Sequence, residues 1–167
     1  MPSFYTGVTG ETNRYSDIGV DAQFEHPLEK GAIIGRASYI HERQNLLASA
    51  AVGASQNSTN SLNSYKFNVS YIPNTTHSLS VGVFGTSGSS DNVLYAPSPV
   101  TGSSSASPAS QGTIIEYNVN PFLNVRLGAQ YIMYQKFNGA SNNYDLTPNG
   151  RSAKNNNSLY VYLWLAY

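Results

Sequence analysis

Apolar and polar side chains alternate one for one along most of this chain. Ile18, Val20, Ala22 and Phe24 alternate with Asp17, Gly19, Asp21, Gln23 and Glu25, and Tyr65, Phe67, Val69 and Tyr71 alternate with Ser64, Lys66, Asn68 and Ser70. The same rhythm carries Leu79, Val81 and Val83, then Ile115, Tyr117 and Val119, then Val125, Leu127, Ala129, Tyr131 and Met133. A period of two puts each set on one face of a β-strand, whereas helical periodicity is hard to find. Two more strands are expected. Over Ile33–Arg43, Ile33, Ala37 and Tyr39 oppose Arg36 and Ser38; over Ser158–Tyr167, Leu159, Val161, Leu163 and Leu165 share a face. A fainter strand opens the chain at Phe4–Gly10. The expectation is an all-β chain of about eight strands in a single domain, 1–167.

The connections alternate between short and long. Pro27–Gly31, Pro73–His77 and Pro121–Asn124 are tight, and each carries a proline near a strand end, where the missing N–H does not interrupt a ladder. Glu11–Ser16, Gln44–Ser61, Gly88–Gln111 and Asn138–Asn157 form the longer class, and the longest are rich in Ser, Asn, Gly, Thr and Pro. In a meander, alternate connections lie at the same end of the sheet. All tight turns therefore fall at one end and all long loops at the other.

Composition narrows the setting. Nine Lys and Arg balance nine Asp and Glu, and charged residues make up 11% of the 167, against roughly 25% in an ordinary soluble domain. No basic excess is present to displace counterions from nucleic acid, and no apolar run reaches the ~18 residues of a membrane-spanning helix. The start lacks a basic segment followed by an apolar one, so any signal peptide is expected to have been removed. Cysteine is absent, which excludes disulfides, thiolate metal sites and cysteine nucleophiles. Thirteen tyrosines, with six Phe and one Trp, favour boundaries between oil and water.

The polar face of the strands is mainly Ser, Asn, Gln and Gly with isolated charges: Asp21, Glu25, Arg36, Lys66, Glu116, Arg126 and Lys136. A soluble strand normally turns many Lys and Glu to water. This face suits instead the lumen of a small barrel whose apolar side chains touch lipid. Strands of about ten residues, tilted about 45°, span the hydrocarbon layer. Two aromatic belts agree: Phe24, Tyr71, Phe122 and Tyr167 at the turn end, and Tyr39, Tyr65 and Phe137 at the loop end. The predicted fold is an antiparallel up-and-down transmembrane β-barrel. With Asp17 and Glu42, its lumen holds about five acids against about four bases, which suits a paired network that fills the interior; a wider barrel would use the same charges to line a channel. Tyr160, Tyr162 and Trp164 are also expected to face inward.

The final segment, Leu159-Tyr160-Val161-Tyr162-Leu163-Trp164-Leu165-Ala166-Tyr167, resembles the terminal strand of Gram-negative outer-membrane β-barrel proteins, which ends in an aromatic residue preceded by hydrophobics at every second position. The resemblance implies a bacterial outer-membrane location and surrounding outer-membrane lipid. It implies an assembly signal at Leu163, Leu165 and Tyr167, read by the barrel-assembly machinery, with both termini periplasmic and the long loops extracellular. The Tyr- and Asn-rich tail also resembles the porin parts of bacterial cytochrome–porin fusions, although no Cys-x-x-Cys-His haem site is present.

Candidate chemistry is sparse. His26, His41 and His77 show no metal-ligand spacing, so no metal and no cofactor are expected. His41 and Glu42 lie at the loop end beside Ser-rich loops, but adjacent strand residues point to opposite faces and cannot form a simple dyad. The favoured function is a non-catalytic membrane scaffold or narrow pore with extracellular loops. The alternatives are the C-terminal portion of a larger porin-like channel or electron-conduit barrel, a rim hydrolase using His41 with a loop Ser, and a soluble lipocalin-like binder. The Gly88–Gln111 loop is expected to serve as a partner site or as a mobile shield.

Overall fold

The structure, a computed structural model, describes residues 10–166. Seven strands follow one another: β1 (Arg14–Pro27), β2 (Ala32–Asn45), β3 (Thr59–Ile72), β4 (His77–Gly88), β5 (Ser110–Phe122), β6 (Val125–Lys136) and β7 (Ser158–Leu165). A short helix α1 (Leu47–Ala51) and a 3-10 turn (Ala153–Asn156) lie within the long connections. The strands form one antiparallel sheet in sequence order, with β1 and β7 at its edges. The described residues thus form an open sheet and not the closed barrel that the alternation suggests. Both edge strands run from the loop end to the turn end, so they cannot complete an antiparallel ladder with each other. Of the expected eighth strand, Phe4–Gly10, residues 4–9 lie outside the described residues, as does Tyr167 of the expected assembly signal.

The register preserves the faces across all six pairings. One row runs Phe24, Gly35, Val69, Val81, Ile115, Tyr131 and Leu159. Since a slip of one residue would send a strand's apolar set to the opposite face, this continuity shows that the pattern specifies the pairing. The row also drifts. It begins near the turn end of β1 and finishes at the loop end of β7, so the strands are tilted relative to their own ends. Gly31, at φ +86°, closes the first tight turn, where Leu28 N–H donates to its carbonyl. Pro121 sits in the register break between Val119 and Phe122, where no ladder bond is lost.

Among the described residues no apolar core lies beneath either face. Val69 is 40% exposed, Leu127 44% and Leu163 58%, and some twenty large apolar side chains of their face are exposed in the same way. The buried apolar residues Leu46, Ala106, Tyr144 and Ala153 all belong to the long connections. The polar face is the more enclosed of the two, with Ser70, Asn118, Gly82 and Gly128 buried on it. Contacts that skip a strand also occur on this face. Tyr162 of β7 donates to Asn118 of β5 at 2.5 Å and to Glu116 at 3.3 Å, passing over Gly128 of β6. Phe84 of β4 meets Tyr134 of β6 edge to face at 5.4 Å, passing over Gly112 of β5. The sheet therefore curls toward its polar face, and the two glycines are notches that let rings cross.

A Cβ on Gly128 would collide with the Tyr162 ring, whereas nothing lies within 4 Å of one on Gly35. Gly128→Val is expected to lower stability by about 1–3 kcal/mol, as overpacking does. Gly35→Val should cost less than half as much. Urea unfolding in detergent reads both, and equal costs would contradict the notch.

Candidate functional site

Of the charges expected to share a lumen, four come together. Asp21, Gln23, Arg36, Ser38, Lys66 and Asn68 line an open trough of about 470 Å³ on the polar face. It continues past Lys66 and Asn68 into a hollow of about 270 Å³ bounded by Ser70, Ser80, Glu116 and Gln130. At about 30 Å³ per water molecule, this space has room for several waters. The charges find amide and hydroxyl partners more than one another. Arg36 Nε donates to Gln23 Oε1 at 2.8 Å; Glu116 accepts from Asn118 Nδ2 at 2.8 Å, from Gln130 and from Tyr162. Dipoles of this kind solvate a charge without the cost of desolvating an ion pair.

The remaining three stand apart. Arg126 donates to Asn120 Oδ1 at 3.0 Å near the turn end, beside Trp164. Glu25 lies low on exposed β1. A bulge in β5–β6 pairs Lys136 with Gln111, which takes it out of the row that Tyr134 shares with Gly112. Tyr160, Tyr162 and Trp164 lie on the polar face, opposite Gln130, Gly128 and Arg126. Leu163 and Leu165 are exposed on the apolar face.

The most elaborate construction is at the loop end, where two carboxylates organise the long connections. Asp91 is fully buried and accepts hydrogen bonds from the backbone of Gln56, Asn57, Val93 and Leu94 at 2.9–3.1 Å, and from Asn60 Nδ2 at 3.3 Å. It thereby ties connection 89–109 to connection 46–58. Burial would raise the pKa of Asp91, but the four backbone N–H groups outweigh it and hold the carboxyl well below its ordinary value. Burial is likewise the largest influence on Tyr95, whose phenol it raises with help from the charges of Asp91 and Glu42.

Asp145 does the same for connections 89–109 and 137–157. It accepts from Val100 N and Arg151 N at 3.1 Å, and from the Thr147 hydroxyl at 3.2 Å. Here too burial pulls upward, and the backbone donors bring the carboxyl below its usual range. Beside it, the buried Tyr144 donates to Val100 O at 2.9 Å while Arg151 Nε donates to the Tyr144 oxygen at 3.2 Å. Val100 is gripped at both N–H and C=O, which holds a β-branched residue at φ +70°, a conformation it otherwise avoids.

Phe137 is not in the loop-end belt. It packs edge to face between Tyr134 at 5.2 Å and Tyr144 at 4.9 Å, which joins the cap to the ring of Phe84 on the sheet. Alternation cannot reveal this, because Phe137 lies just past the last residue of β6.

His41 and Glu42 point to opposite faces, as expected. His41 Nδ1 lies 2.8 Å from Asn63 Oδ1, while Glu42 accepts from Gln44 Nε2. His26 stacks on Phe24 at 6.3 Å, and His77 Nδ1 lies 2.7 Å from the Tyr117 hydroxyl. Among the described residues no three His, Cys, Asp or Glu converge on a metal position. Compared with known protein families, curated proteins and solved structures, the chain matches none.

Asp91→Ala leaves four backbone N–H groups facing an apolar methyl. The amides of Gln56, Asn57, Val93 and Leu94 should lose roughly 2 kcal/mol of protection, about thirtyfold faster hydrogen exchange; unchanged exchange would contradict the anchor. Because the folded pKa of Asp91 lies below its ordinary 3.8, the unfolded cap takes up a proton first as pH falls. Resistance of connections 46–58 and 89–109 to proteolysis should therefore be constant above about pH 5 and decline below about pH 4.

Proposed function

We propose that this chain is the membrane-spanning wall of a bacterial outer-membrane β-barrel, a non-catalytic scaffold or narrow pore that presents its long loops outside the cell. The observation that carries the reading is the exposed apolar face. Twenty such side chains at half exposure amount to roughly 2,000 Å², several times the ~300–600 Å² of the largest patch on a typical soluble monomer. Lipid is the solvent that accepts such a face. Three features support it: the tilt of the strands, the curl toward the polar face, and the segregation of tight turns from long connections.

In this reading the polar trough is the lumen, surrounding lipid is the main partner, and the assembly machinery reads Leu163, Leu165 and Tyr167. Closure must come from strands added between β1 and β7, because an open edge in lipid leaves N–H and C=O groups unsatisfied. A second reading, part of a larger porin-like channel, is favoured by the full exposure of the β1 polar face with Asp17, Asp21 and Glu25. A wide lumen would keep those carboxylates in water. Planar-bilayer conductance separates the two, since nanosiemens steps belong only to the wide pore.

Two measurements test the reading itself. The protein folded into detergent should migrate on gels in a heat-modifiable way, and a monodisperse species free of detergent would overturn the proposal. Val69→Arg on the apolar face should cost about 2–4 kcal/mol in vesicles, whereas Asn68→Arg on the polar face should cost about 1 kcal/mol or less. Equal costs would contradict the assignment of faces.

A further inference from the structure

All five carboxylates within the seven strands, Asp17, Asp21, Glu25, Glu42 and Glu116, belong to the polar face. The apolar face carries Arg14 and Arg43, and both sit at its loop end. Arg14 alternates with Ser16, Ile18 and Val20 along β1; Arg43 of β2 stands opposite Ser16, two residues from Asn45, the partner of Arg14. The two arginines are therefore diagonal neighbours across one antiparallel pair, about 7–8 Å apart at the backbone, and both are exposed. Below them Ile18, His41 and Asn63 form one row and Val20, Tyr39 and Tyr65 the next. At the turn end the same face finishes in Phe24, His26, Tyr71 and Tyr117, and the strands place no Lys or Arg there.

We infer that Arg14 and Arg43 form a binding site for the phosphate of an anionic lipid headgroup in the leaflet at the loop end. This inference rests on the membrane-wall reading. Position argues for lipid. Arg43 lies four residues beyond Tyr39, about 13 Å of strand and ~10 Å in height once tilted. That places a guanidinium in the headgroup layer, just outside the aromatic belt, with its stem free to lie along apolar surface. Charge argues for an anion, because no strand carboxylate shares this face to neutralise the pair. Chemistry argues for phosphate, since two forked guanidinium groups offer paired N–H donors to its oxygens.

The neighbouring residues extend the site. Ser16 and Ser61 flank Arg43 in its row, and their hydroxyls can add donors. Asn63 Oδ1 accepts from Tyr39 OH at 2.7 Å and meets His41 Nδ1 at 2.8 Å, which fixes the row beneath. The contrast between the two ends makes the site one-sided, and a phosphate-rich leaflet at the loop end would hold the protein at a fixed depth and orientation.

The test uses the whole protein in mixed micelles of phosphatidylglycerol and phosphatidylcholine, with native mass spectrometry counting retained lipid. Phosphatidylglycerol should be enriched roughly twenty-five-fold over phosphatidylcholine, given roughly fivefold for each of the two cations near a surface. Arg14→Gln with Arg43→Gln should bring the ratio within about twofold of unity, while the polar-face control Lys66→Gln should leave it unchanged. Loss of enrichment in millimolar inorganic phosphate would overturn the assignment to lipid. Equal loss in the Lys66→Gln control would show general charge attraction and overturn the site. Heat-modifiable migration of the same preparation separates the two levels: a folded, inserted protein without lipid preference overturns this inference alone, and failure to insert overturns both.

Discussion

Everything in this molecule follows from the requirement that each strand keep two chemically different faces while pairing with neighbours that do the same. Side chains alternate with a period of two, so register and facing are a single variable. Across six pairings the rows remain homogeneous: Val69 meets Val81 and Gly35, and Ser70 meets Ser80 with their hydroxyls 2.7 Å apart. An ordinary sheet resolves the asymmetry by burying its apolar face under a second layer. Among the described residues there is no second layer, and the little side-chain burial on the sheet is on the polar side. Apolar contact cannot then be what holds the sheet together in water, and the face that lacks partners must find them in its surroundings.

The loop end solves a different problem. Connections 89–109 and 137–157 contain few large apolar residues, so they cannot fold by burying surface. They fold around acceptors instead. A carboxylate offers about four lone-pair sites to N–H donors that would otherwise be orphaned, and Asp91 and Asp145 each gather donors from two connections. The Tyr134–Phe137–Tyr144 chain of rings then fastens the polar assembly to the sheet. The Gly88–Gln111 stretch, whose composition reads as a shield without fixed shape, is in this way held at Asp91 and, through Val100, by Asp145 and Tyr144.

Much of this architecture can be read from the amino-acid sequence, and the line between what can and cannot be read is physical. Alternation is a repeated signal, summed over several residues per strand, so seven strands and the order of short and long connections emerge from it. Anchors are single events. Nothing near Asp91 marks it as the tie to connection 46–58, because the donors that make that tie, Gln56, Asn57 and Asn60, lie more than thirty positions away. Gly112 and Gly128 look like breaks in a strand until the rings that cross them are seen. The bulge that removes Lys136 from its expected row arises between Gln111 and Gly112, where no local signal precedes it. The short helix Leu47–Ala51 is too brief to leave a periodic trace.

The parity of the strands adds a constraint that composition cannot. In a meander, odd-numbered strands share a direction, so β1 and β7 both descend from the loop end to the turn end. Joining them directly would need a parallel seam, whose slanted bonds are slightly weaker per residue than an antiparallel ladder's. An antiparallel closure therefore needs an odd number of ascending and descending strands in the gap, one at minimum. The entry to β1 is fixed at the loop end, where Asn13 Nδ2 donates to the Ser49 hydroxyl at 2.7 Å and Asn13 Oδ1 accepts from Ser49 N at 3.1 Å. Any strand antiparallel to β1 and β7 alike runs from the turn end to the loop end.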